Sequence, residues 1–123
     1  MILLCAFLLV AGCVSPTSVV LAPNPNPREA FTLDLRLAYV HIHRQSMMDT
    51  LLAIDRAIKR QSGRRHGLAF AVGYGASKNV SIDARDLTVR SLLLEICRQS
   101  DLICEMDDPN SPYDVYITYR NPE

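Results

Sequence analysis

One arrangement of apolar residues occurs twice in this chain and restricts what it can fold into. Val40 and Ile42 alternate with His41 and His43 and lead into Ser46, after which Met47, Leu51, Ile54 and Ile58 recur at helical spacing. The arrangement returns 42 residues later, where Ile82 and Ala84 alternate with Asp83 and Arg85 and lead into Thr88. Val89, Leu92, Leu93, Ile96 and Cys97 then form a second helical stripe. A half-buried strand and an amphipathic helix each need a cover, so the two units must share a core. The expected class is α+β, with two strand-helix-strand units in the order βαβ-βαββ.

Local signals bound the elements. Ser46 is a candidate N-cap with Asp49 at the third helical position, and Lys59, Arg60, Gly63 and Gly67 follow the stripe, which predicts a helix over 47–60. Asp86 and Thr88 are candidate caps for a helix over 88–100. Phe31, Leu33, Leu35 and Leu37 alternate, but Val40 and Ile42 continue in the opposite phase, so a bulge or break is expected near Ala38. Leu68–Val72 reads as a short buried strand, followed by a turn at Gly73, Gly75 and Ser77. Leu102, Cys104 and Met106 alternate, Asp107 to Pro112 carries turn chemistry, and Val115, Ile117 and Tyr119 alternate as a last strand.

The first part of the chain has a different character. Asp, Glu, Lys and Arg are absent from residues 1–27 and frequent afterwards. Ile2 to Val10 is apolar and too short to span a bilayer, and its length fits a removable signal. It ends in Val10-Ala11-Gly12-Cys13, which resembles the lipobox of bacterial lipoproteins, although no Lys or Arg precedes the apolar run. The resemblance implies a signal peptide over 1–12 and acylation of Cys13. Pro16, Pro23, Pro25 and Pro27 favour an extended spacer, so 13–30 is expected to be a tether and 31–123 the folded domain.

The second unit carries a further resemblance. Asp86-Leu87, Thr88-Val89, Leu92-Leu93 and Gln99-Ser100-Asp101-Leu102 fall where the short N-terminal domain of secretins and TonB-dependent receptors (STN) has its strand end, helix start, inner apolar pair and exit. Residues 79–106 are similar to that family, and 38–73 loosely so. Asp101 stands where the family usually has Gly, and Gln45 where the second unit has Leu87. The resemblance implies a periplasmic module that docks other proteins and has no catalytic residues.

The remaining residues suggest little chemistry. With 13 basic and 13 acidic side chains, formal charge cancels, and no nucleic-acid partner is implied. Lys59, Arg60, Arg64 and Arg65 form a local basic excess consistent with a helix end. His41 and His43 share a strand face and are weak metal-ligand candidates, with His66 or an acid as a third. No nucleophile motif frames any Ser, and Gly73-Tyr74-Gly75-Ala76-Ser77 lacks the Lys and helix of a phosphate loop. Cys97 and Cys104 are compatible with a disulfide or with two buried thiols.

Tyr113, Tyr116 and Tyr119 lie near the chain end, on what is expected to be an edge strand open to a partner. The expected function is therefore a lipid-anchored, periplasm-facing protein-binding module, with no enzyme activity and no cofactor. Its expected partner is another envelope protein, such as a secretin or secretion-system component, and its expected membrane the outer one. The alternative is a small envelope lipoprotein that binds a ligand or metal through the His-bearing strand.

Overall fold

The computed structural model describes residues 17–73 and 79–119. Cys13, the apolar leader and the Gly75 to Ser77 part of the expected turn lie outside the described residues. Within them the order is β1 (Thr17–Leu21), a 3-10 turn (Thr32–Asp34), β2 (Arg36–Gln45), α1 (Met47–Ser62), β3 (Phe70–Val72), β4 (Val80–Thr88), α2 (Val89–Ser100), β5 (Leu102–Met106) and β6 (Val115–Tyr119). The protein is α+β. From β2 onward the order is the expected βαββαββ.

Both helices start and stop for reasons visible in their sequences. The Ser46 side chain accepts from the Asp49 N–H, and the Thr88 side chain accepts from the Ser91 N–H. Gly63 closes α1 at φ 73°, and Asp101 closes α2 at φ 56°, a left-handed position that Asp tolerates better than most residues. Met47, Leu51, Ile54 and Ile58 of α1 are buried, as are Val89, Leu92, Leu93, Ile96 and Cys97 of α2.

The strands form two three-stranded sheets, ordered β1-β2-β4 and β3-β6-β5. The opening strands of both repeats, β2 and β4, thus lie side by side, while the closing strands β3 and β5 lie in the other sheet with β6 between them. Residues of both repeats contribute to one hydrophobic core. α1 packs chiefly on β1, and α2 on β4 and β5.

The phase change expected near Ala38 is a register shift. Pairing steps from Val20↔Tyr39 to Leu21↔Leu37, leaving Ala38 as the extra residue on β2. This keeps Leu35, Leu37, Val40 and Ile42 all buried despite their change of phase.

The expected tether boundary is corrected by β1. Thr17–Leu21 pairs antiparallel with β2, so the folded body includes residues assigned to the 13–30 spacer. Polar side chains tie down the Pro-rich stretch that follows. Asn24 donates to the Ala22 and Arg36 carbonyls at 2.7 and 3.1 Å and accepts from the Arg36 N–H at 2.8 Å. Arg64 donates to the carbonyls of Pro27 and Ala30 at 2.9 and 2.6 Å and to Thr32 Oγ1 at 2.9 Å. Proline has no N–H of its own to pair with nearby carbonyls, and these polar side chains supply the donors.

Candidate functional site

The loop joining β5 to β6 is ordered by its own side chains. Asp108 Oδ1 accepts from the Asn110 N–H at 2.9 Å, and Ser111 Oγ accepts from the Tyr113 N–H at 3.1 Å. Asp114 Oδ2 accepts from the Ala69 N–H at 2.9 Å, while the Asp114 N–H donates to the Ala69 carbonyl at 2.7 Å. Tyr113 is therefore presented from a fixed turn, and it is 44% exposed.

Tyr113 borders two grooves. The larger, about 530 Å³, is lined by Phe31, Asp34, Arg90, Asp107, Asp108 and Asp114 among others. The second, about 390 Å³, includes Lys59, His66, Phe70 and Pro112. Phe31 is 80% exposed, the most exposed large apolar residue among the described residues. Sequence alternation places Phe31 at the start of a strand face, but the 3-10 turn at Thr32–Asp34 breaks that alternation. Asp34 inside the run, a residue disfavoured in strands, is the signal that could have shown this.

Arg90 joins three segments at the larger groove. It pairs with Asp107 and, at 3.4 Å, with Asp34. The hydrogen bond that it donates to Asp107 is the chief reason that its guanidinium pKa is raised above the ordinary value. Neither Phe31 nor Arg90 stands out by motif.

The edge-strand expectation for the tyrosines is overturned. β6 is central, paired parallel with β3 and antiparallel with β5, so from Val115 to Ile117 it has a strand on each side. Local periodicity shows that a segment is a strand but not which distant strands flank it. Tyr116 is on β6 and 37% exposed, and Tyr113 lies before the strand. The side chain of Tyr119 lies outside what is described.

The other candidates separate. Cys97, near the end of α2, is disulfide-bonded to Cys104 of β5, with a Cα–Cα distance of 6.2 Å. His41 stacks on Tyr39 with ring centroids 6.4 Å apart, and Arg85 lies 4.8 Å over the Tyr39 ring. His43 is exposed. Among the described residues no three His, Cys, Asp or Glu side chains converge to hold a metal ion. Within the basic excess, Arg64 is occupied by the carbonyls of Pro27 and Ala30, and Lys59 pairs with Asp55 at 3.2 Å.

Comparison of the chain with protein-family models, curated proteins and solved structures gives no match. Among the described residues no helix is long and apolar enough to cross a membrane.

Proposed function

We propose that this chain is a protein-binding module of the bacterial cell envelope, anchored by a lipid on Cys13, facing the periplasm, and built like the short N-terminal domain of secretins and TonB-dependent receptors. The observation that carries the binding role is Tyr113, held by an ordered turn between two adjoining grooves, with Phe31 exposed on the larger one. Aromatic side chains of this kind are enriched at protein interfaces. A fixed loop also loses little entropy on association. The βαββαββ order supports the architectural likeness. The Cys97–Cys104 disulfide supports an oxidising compartment such as the periplasm.

The test is a photocrosslinking residue at position 113 in intact cells. Capture of one envelope protein, lost when Phe31→Ala is added, is the expected result. Capture of nothing, together with turnover of a small substrate by the purified protein, would overturn the reading. Cys13→Ser is expected to abolish detergent partitioning.

A further inference from the structure

Building on the proposed docking role, we propose that the larger groove receives a basic segment of the partner protein, with a Lys or Arg side chain against Phe31 and Tyr113. The lining supplies two kinds of attraction. Phe31 and Tyr113 offer aromatic surface, which favours cations at the ring faces. Asp34, Asp107, Asp108 and Asp114 face a single cation in the lining, Arg90.

Arg90 is engaged by Asp34 and Asp107. Asp108 and Asp114 accept backbone N–H groups, which orient their carboxylates without neutralising them. The groove therefore keeps an excess of negative charge beside exposed aromatic surface. An acidic segment would be repelled, and a wholly apolar one would leave these carboxylates desolvated without a partner. No three of the acids converge on a common point among the described residues, so a long cationic side chain fits their spread better than a metal ion.

The test uses the full chain in detergent micelles and three six-residue peptides that differ only in carrying two arginines, two glutamines or two glutamates. Amide chemical shifts of Phe31, Arg90 and Tyr113 report occupancy. The arginine peptide should bind roughly tenfold more tightly than the glutamine peptide at low salt, as complementary charge predicts. That advantage should vanish in about 1 M salt, where the screening length is about 3 Å. It should also shrink in the Asp34→Asn/Asp108→Asn variant, which leaves only Asp107 and Asp114 against Arg90, and an undiminished advantage there overturns the charge inference. Equal binding of the arginine and glutamine peptides at these amides overturns the charge inference and leaves the docking role standing. Absence of any shift at these amides overturns the inference, and crosslinking from position 113 then decides the docking role separately.

Discussion

Gly67 lies directly against the backbone of Asp55, so close that a Cβ at position 67 would fall 3.1 Å from the Asp55 carbonyl carbon and nearer still to its oxygen. The same Asp55 accepts the Leu68 N–H at 2.8 Å, which holds the segment leading into β3 against the middle of α1. Gly67→Ala should therefore destabilise the fold by about 1–3 kcal/mol, the usual cost of overpacking. Urea denaturation measures this, and an unchanged midpoint would show that the two segments separate freely.

Leu93 is completely buried in the stripe of α2. Leu93→Ala should cost roughly 2–5 kcal/mol. A loss below about 0.5 kcal/mol, the size of a surface change, would contradict the shared core.

Gln61 caps the outer edge of β1, accepting from the Leu21 N–H and donating to the Val19 carbonyl, both at 2.7 Å. Gln61→Ala should destabilise by about 1 kcal/mol and speed hydrogen exchange at the Leu21 amide. Unchanged protection of that amide would mean that the edge is held by something else.

The Cys97–Cys104 bond closes a short loop, with a sequence separation of 7. Reduction should lower stability by roughly 2.5 kcal/mol on the loop-entropy account. Thermal melts with and without reductant check this, and coincident melts would rule out a stabilising bond.

Glu95 sits beside Arg98, whose hydrogen bond is the main cause holding the Glu95 carboxyl below the ordinary carboxylate value. A lowered folded pKa means that this stabilisation is present above the unfolded value and is lost as pH falls through the folded one. Glu95→Gln should therefore reduce the drop in Tm between about pH 5 and about pH 3. An identical acid profile would remove Glu95 from the acid response.

Ser46, Thr88 and the two apolar stripes identify both helices because capping and 3.6-residue periodicity involve neighbours in sequence. The phase change at Ala38 is equally legible, since strand alternation exposes a single extra residue. Thr17–Leu21 is not, because a five-residue strand within a Pro-rich, charge-free stretch resembles a spacer until its partner is known. The candidate site is only partly legible: position near the chain end singles out Tyr113 for an edge role that the central β6 does not have, and distant segments bring Phe31 and Arg90 to it.

The sequence alone determined the α+β class, the order of elements from β2 onward and the residues of the two buried helical faces. Each depends on spacing within about one or two helical turns. Only the tertiary structure decided that β6 lies between β3 and β5, that Arg64 pins the carbonyls of Pro27 and Ala30, and that Phe31 and Tyr113 share a groove. Strand pairing and side-chain convergence depend on contacts between residues far apart in the chain, which local periodicity does not encode.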